Sequence, residues 1–438
     1  MSHSTIARHV LSIPLAGLVL AGPPSAVGAQ PDGTPLTWAS APQALEQAEA
    51  QGFSGSVLLV RDGEIVLNEG YGFADRDRQI PNTPETIFAI GSTPIDFTHV
   101  AILQLLDQGK LDLNDPISRF FDGFPEDKRA ITLEHLRTGA SGLPDFPYLP
   151  GVDEDPDHSP LSRDEFIERA RNAELLFTPG TDRVHSHFAW GVLAAVVEVA
   201  SAQSYRDYIT EHVLKPAGMT RTGFHGDQFP GETLAIGYES KTWGEINAPD
   251  HWDETSWLVM GSGGMVGTTG DLFRFNRALK DGTLLSPNVH HLFPSDGVYA
   301  NGNMYGFETY YNHGGDTLFY LNSNNVNPLN PVYDIQSLAR RLEELCEDRP
   351  APNFSIGVVM RPGPDSVIVD RVLPGSPAEE AGLRPGDVLL AANGAPFDPE
   401  RPLDALRPGI EKGRALRVRI ERDGRAQLLT IHPQPVMP

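Results

Sequence analysis

Apolar positions recur along the chain with two periods. Gly55-Ser56-Val57-Leu58-Leu59-Val60 is a short apolar run suited to a buried strand. Glu64-Ile65-Val66-Leu67 follows Asp62-Gly63, the dipeptide of a tight hairpin turn. Phe88-Ala89-Ile90 runs into Gly91. Beyond it Val100, Ala101, Ile102, Leu103, Leu105 and Leu106 predict a buried helix ending near Gly109. A second long apolar helix carries Trp190, Val192, Leu193, Val196, Val197 and Val199, and a third runs from Ile335 to Cys346. A shorter one spans Ser162–Ala173, capped by Ser162 or Asp164. Residues 144–162 are rich in Pro and Asp and read as an exposed excursion. A hairpin, then mostly helices, then later strands implies an α+β architecture.

After Pro350-Ala351-Pro352 the pattern changes to short strands and turns, with Asn393-Gly394 and Asp423-Gly424 as hairpin signals. The expected boundaries are a leader at 1–29, a first domain at 30–348, a linker at 349–352 and a second domain at 353–438. In the leader, Arg8 precedes the apolar run Val10–Ala21, and Val27-Gly28-Ala29 supplies small residues before Gln30. That is the pattern of a secretory signal, too short for a stable membrane span. The expected location is therefore secreted or periplasmic.

The chain has 438 residues, 40% of them hydrophobic, enough for more than one core. Its net charge of −24 argues against nucleic acid and against an anionic membrane surface as partners. Cys346 is the one cysteine, so an intramolecular disulfide and a cysteine-based zinc cluster are excluded. Gly261–Gly270 is glycine-rich but lacks the lysine of a phosphate cradle. His135 lies in an apolar helix pattern and reads as satisfied structure.

The candidate chemistry centres on Ser92. A serine between a strand end and a helix is how many hydrolases present a nucleophile, and it is equally an ordinary helix cap. The hydroxyl needs a base within hydrogen-bond reach.

Two resemblances rest on named residues. Residues 353–438 resemble a PDZ domain of the bacterial type, on Ser376-Pro377-Ala378, Gly382-Leu383 and Gly386-Asp387. This implies a small, mainly β domain that takes a C-terminal or extended peptide as an added strand, with the carboxylate near Phe354, Ser355, Ile356, Gly357 and Val358. Residues ~40–346 resemble the serine β-lactamase and penicillin-binding-protein family, particularly its class C and esterase-like branch. The carriers are Phe88–Ser92, His135-Leu136 to Ser141-Gly142-Leu143, Pro179-Gly180-Thr181, Gly263–Thr268 with Gly270-Asp271-Leu272, and His313-Gly314-Gly315. It implies a sheet flanked by helices with a helical subdomain beside the cleft.

This sequence departs from the family's chemistry. The S-x-x-K motif reads Ser92-Thr93-Pro94-Ile95, and none of the six lysines (110, 128, 215, 241, 280, 412) lies within a turn of Ser92. Y-x-N reads His185-Ser186-His187. The third motif, His313-Gly314-Gly315, keeps an accepted form, with Gly314 and Gly315 implied as oxyanion or cleft wall. After Thr317 roughly one hairpin arm is missing, which is expected to weaken the sheet edge.

Three readings follow. The cleft is degenerate and binds without hydrolysing. Alternatively, Ser92 works with His185 as base, His187 or His313 supporting the oxyanion or leaving group, on a small acyl ester or peptide rather than a β-lactam. Or His185, His187 and His313 hold a metal, although an extended His-x-His points its rings apart. No cofactor is required by the first two.

Overall fold

The computed structural model describes residues 36–238, 247–294, 301–312, 315–326, 335–346, 354–362, 366–372, 375–397, 405–406, 414–422 and 424–435. The leader at 1–29, the linker at 349–352, His313 and Gly314 lie outside the described residues. The chain divides into two compact units, one of residues 38–348 and one that includes residues 349–438. Among the described residues no helix is long and apolar enough to cross a membrane.

The first unit is α+β. Its antiparallel sheet has five strands in the order Glu64–Tyr71, Gly55–Arg61, Leu318–Ser323, Phe307–Tyr311, Asn301–Met304. Asp62 and Gly63 both have positive φ (52° and 83°), the geometry of a type I′ turn that an Asp-Gly pair favours. Gly55–Val60 is buried on both faces, as its continuous apolar run requires. A smaller sheet holds Phe88–Ala89 and Gly223–Phe224 on either side of Met265–Gly267.

The helices build the main core. The serine helix, Pro94–Asp107, packs against the histidine helix, His187–Ser201, and both are apolar nearly all round because other elements enclose them. Ile95, Phe97, Val100, Val192, Leu193 and Val196 are fully buried there. The short helix Leu133–Arg137 is capped by Thr132, and the side chain of His135 completes the capping box. His135 is thereby accounted for as structure.

Two expectations change. Leu318–Ser323 is an interior strand, hydrogen-bonded to Gly55–Arg61 on one side and Phe307–Tyr311 on the other, not a weakened edge. The excursion 144–162 is also far from loosely exposed. Arg169 grips the Asp153 carboxylate with both nitrogens (2.7 and 2.9 Å) and donates to the Pro147 carbonyl at 3.0 Å. Ser256 Oγ donates to the Ser159 carbonyl at 2.6 Å, Tyr305 hydrogen-bonds Asp155, and the His158 ring packs 4.7 Å from Trp252. These contacts bury Asp153, Asp155 and Ser159.

The second unit is small and mainly β. Its six-stranded sheet runs Val358–Pro362, Val367–Val372, Val388–Ala392, Leu416–Arg422, Arg425–Ile431, with Ala395–Pro396 paired to Val388–Ala392. Alternate residues of Leu416–Arg422 face a core of Leu416, Val418 and Ile420 with Val367, Val369, Leu389 and Leu383. The Gly386-Asp387 motif has a physical reason. Asp387 is buried and takes two 2.6 Å hydrogen bonds from Arg422 and one from the Arg384 N–H at 2.8 Å. Ser376 caps the short helix Pro377–Glu380.

Candidate active site

Ser92 sits in a tight connection between strand and helix. Gly91 has φ of 52°, a left-handed conformation that glycine adopts without strain. The Thr93 N–H and hydroxyl both turn back to the Ile90 carbonyl (3.2 and 2.8 Å), and the Ile95 N–H donates to the Ser92 carbonyl at 3.1 Å. Pro94 then opens the serine helix, where its missing N–H costs nothing. Ile95, one turn on, points into the core and is fully buried. The position offers no base.

The imidazole that faces Ser92 is His187. Its Nε2 lies 3.0 Å from Ser92 Oγ. The reason is local. Ser186 is the N-cap of the histidine helix, its hydroxyl accepting the Ala189 N–H at 3.0 Å, so His187 is the first helical residue. The excursion then pairs with this helix start. Ser186 Oγ donates to the Pro144 carbonyl (2.7 Å), the Phe188 N–H donates to the Asp145 carbonyl (2.7 Å), and the His187 N–H donates to Asp145 Oδ1 (3.2 Å).

Asp145 completes the line. Its Oδ1 lies 2.8 Å from His187 Nδ1. Serine, histidine and carboxylate are thus connected by two hydrogen bonds through the two ring nitrogens. The His187 residue is 9% exposed, and the Phe146 ring stacks on it at 4.2 Å with 13° between planes. Burial raises the Asp145 carboxyl. Hydrogen bonds from the His187 side chain and backbone, with the imidazole charge, outweigh it and hold the pKa below the ordinary carboxylate value.

His185 takes a different place from the one expected. Its ring meets His187 edge-on, with centroids 4.5 Å apart and planes at 89°. Although the residue reaches solvent, desolvation by the surrounding protein and then the charge of His187 lower its pKa to about 4, against an opposing pull from Asp145. The two rings do not point apart as an extended His-x-His would place them, because the helix begins at His187. One nitrogen of each histidine and one Asp145 oxygen all lie within 4.8 Å of one another, and these are the residues that could hold a metal ion.

Gly315, expected at the oxyanion or cleft wall, lies in the connection between Phe307–Tyr311 and Leu318–Ser323. Lys280, last residue of the helix Thr269–Lys280, donates its Nζ to the Gly315 carbonyl, and the Gly63 N–H of the hairpin turn donates to Asp316 at 2.7 Å. That end of the helix lies beside Leu284, whose carbonyl accepts from Gln104, about three turns along the serine helix from Ser92. The end of strand Phe307–Tyr311 reaches the serine region, where the Tyr311 hydroxyl lies 3.4 Å from Asp96 Oδ2. His313 and Gly314, the companions of Gly315 in the motif, are outside the described residues.

Asp145 is the residue that sequence reasoning missed. It is one of five carboxylates in 144–162 and no spacing singles it out. The available signal was its place directly after Ser141-Gly142-Leu143-Pro144.

In the second unit, the Ile356 carbonyl accepts the Ala378 N–H (2.9 Å) and the Gly357 carbonyl accepts the Ser376 hydroxyl (3.3 Å). Phe354–Ser355 pairs with Gln434–Pro435. Val358–Pro362 is an edge strand, with Val367–Val372 as its neighbour among the described residues.

Comparison with known proteins accords with both units. A beta-lactamase family model matches residues 42–325, and a PDZ domain model matches residues 368–422. PbpX of Bacillus subtilis (strain 168), which carries a penicillin-binding-protein name, is 33% identical over 267 residues. The match spans 60% of this chain and 65% of that relative, just under two thirds of its length. Among solved structures, D-amino acid amidase from Ochrobactrum anthropi SV3 superposes with a TM-score of 0.58 at 20% identity, covering 69% of this chain and 97% of the amidase. EstCE1, a hydrolase with promiscuous acyltransferase activity, gives 0.55 at 21% identity over 70% of this chain and 98% of its own. The chain belongs to the beta-lactamase family of penicillin-binding-protein-like serine hydrolases and carries a PDZ domain toward its C-terminus.

Proposed function

We propose that the chain is an active acyl hydrolase that uses Ser92 as nucleophile, His187 as general base and Asp145 to orient the imidazole. The observation that carries this is the pair of hydrogen bonds, 3.0 Å from Ser92 Oγ to His187 Nε2 and 2.8 Å from His187 Nδ1 to Asp145. Ile95 leaves the family's usual lysine position without a base, and His187, at the asparagine position, supplies one instead.

The chemistry follows from the geometry. Asp145 accepts the Nδ1 proton, so the lone pair sits on Nε2 and faces the serine hydroxyl. Ser92 Oγ attacks the acyl carbon as its proton passes to Nε2, and the imidazolium returns that proton to the departing alcohol or amine. Water then enters by the same route and releases the acid. The negative charge on the acyl oxygen builds up at the start of a 14-residue helix, whose dipole favours it. The Ser92 N–H, just before that helix, is the oxyanion donor this mechanism invokes. It donates to no acceptor among the described residues.

The favoured substrates are small acyl esters or peptides. A β-lactam is disfavoured because the lysine and tyrosine that handle it are replaced by Ile95 and His185. The PDZ domain binds a C-terminal or extended peptide along the Val358–Pro362 edge. The segment 1–29 directs the chain out of the cytoplasm. Turnover of a p-nitrophenyl ester that vanishes in Ser92→Ala supports the hydrolase. Wild-type turnover no faster than the correctly folded Ser92→Ala protein returns the cleft to the degenerate reading.

A further inference from the structure

The same three side chains that orient the base also form a donor set. Asp145, His185 and His187 present one oxygen and two imidazole nitrogens within 4.8 Å of one another. Nitrogen and carboxylate donors of this kind suit zinc-class transition metals, while calcium and magnesium want oxygen alone. Three protein ligands leave a fourth position for water.

We propose that Asp145, His185 and His187 form a binding site for one zinc-class divalent cation, and that its occupancy silences Ser92. The site is reachable, since the Asp145 side chain is 53% exposed and His185 also meets solvent. The His185 ring meets His187 edge-on, with centroids 4.5 Å apart, so both imidazoles border the same space as Asp145.

Silencing follows whichever His187 nitrogen the metal takes. At Nδ1 it displaces the proton shared with Asp145. The neutral ring then carries its one proton on Nε2, and Ser92 faces a donor instead of a base. At Nε2 the metal occupies the lone pair itself. No proton need leave the protein in the first case, because the ring proton only changes nitrogen. Asp145 is meanwhile drawn from orienting the imidazole to ligating the ion. His185, which takes no part in the proposed acyl transfer, gains a role as the third ligand.

The silencing rests on the hydrolase reading, but the metal site does not. The test is calorimetric titration of Zn²⁺ into the full chain after chelator treatment, in wild type, Ser92→Ala, His185→Ala and Asp145→Asn. Wild type and Ser92→Ala are expected to bind one equivalent with a Kd of about 10 μM or tighter, and His185→Ala and Asp145→Asn to bind at least about tenfold more weakly. Ester turnover of the wild type should be halved at the same free zinc and restored by EDTA. A wild-type Kd weaker than about 1 mM, or His185→Ala binding like wild type, overturns the site. Saturated zinc with undiminished turnover overturns the silencing. Metal-free protein without turnover that still binds zinc through His185 supports the site and counts against the hydrolase alone.

Discussion

Asp145 holds His187 at two points. Its Oδ1 lies 2.8 Å from the ring Nδ1 and 3.2 Å from the backbone N–H of the same residue. One carboxylate oxygen therefore holds both the backbone and the ring of the first residue of the histidine helix. Asp145→Asn keeps the size but offers an amide where the ring needs an acceptor. A buried orienting aspartate is worth about 10⁴ in rate. Here the side chain is 53% exposed, and water screens and partly replaces it. The expected fall in kcat is about 100-fold with KM changed less than about threefold, measured with a soluble ester.

His187 and His185 separate cleanly by substitution. His187→Ala removes the base and should lower kcat/KM by about 10³-fold or more. His185→Ala touches neither Ser92 nor Asp145 through any hydrogen bond proposed for the reaction, and is expected to stay within about fivefold of wild type in metal-free buffer. Steady-state kinetics on the two variants checks the assignment. Equal losses would mean that the two rings share the role.

Arg169 anchors the excursion that carries Asp145. It binds Asp153 with both nitrogens and the carbonyl of Pro147, two residues beyond Asp145. The hydrogen bond from Arg169 is the leading cause that holds the Asp153 carboxyl below its usual pKa. The Asp153 side chain is only 4% exposed, so Arg169→Met strands a buried charge. Loss of one partner of such a pair costs about 3–5 kcal/mol. Urea unfolding should show a loss of that order, and kcat should fall with it at fixed KM if the excursion loosens.

The packing elements were legible from the sequence and the imidazole that faces Ser92 was not. Val57–Val60, Val100–Leu105 and Val192–Val197 announce their burial by period alone, and Asp62-Gly63 announces its turn. Ser92 was legible because a strand end, a glycine and a buried helix surround it. The sequence reading takes His185 as the base and His187 as its support, but which ring faces Ser92 depends on where the helix starts, and Ser186 sets that through its hydrogen bond to Ala189. Asp145 reaches His187 across 42 residues of chain. No local pattern encodes such a contact, and the neighbouring carboxylates look alike.

Acid should unfold the first unit through buried histidine. His99 is fully buried in the serine helix, 5.1 Å from the Phe293 ring and 5.8 Å from Trp190. Burial, with the charge of Arg137 second, lowers its pKa to about 3. An unfolded histidine takes its proton near pH ~6.5. Between those values the unfolded chain holds one more proton than the folded one, so stability rises with pH across the window and is lost on acidification. Thermal melts between pH 7 and 4 should show a falling midpoint, and His99→Phe should flatten that fall.

Covalent labelling of Ser92 tests the central claim most directly. A fluorophosphonate reacts with a serine only when a neighbouring base takes up its proton, and it needs no knowledge of the natural substrate. The metal-free full chain should label stoichiometrically at Ser92 at neutral pH, with mass spectrometry placing the adduct on the peptide that contains Gly91-Ser92-Thr93. Labelling should disappear in His187→Ala and persist in His185→Ala. Wild-type protein that stays unlabelled at neutral and alkaline pH, or labelling that survives His187→Ala, would contradict the assignment of Ser92 and His187 as nucleophile and base.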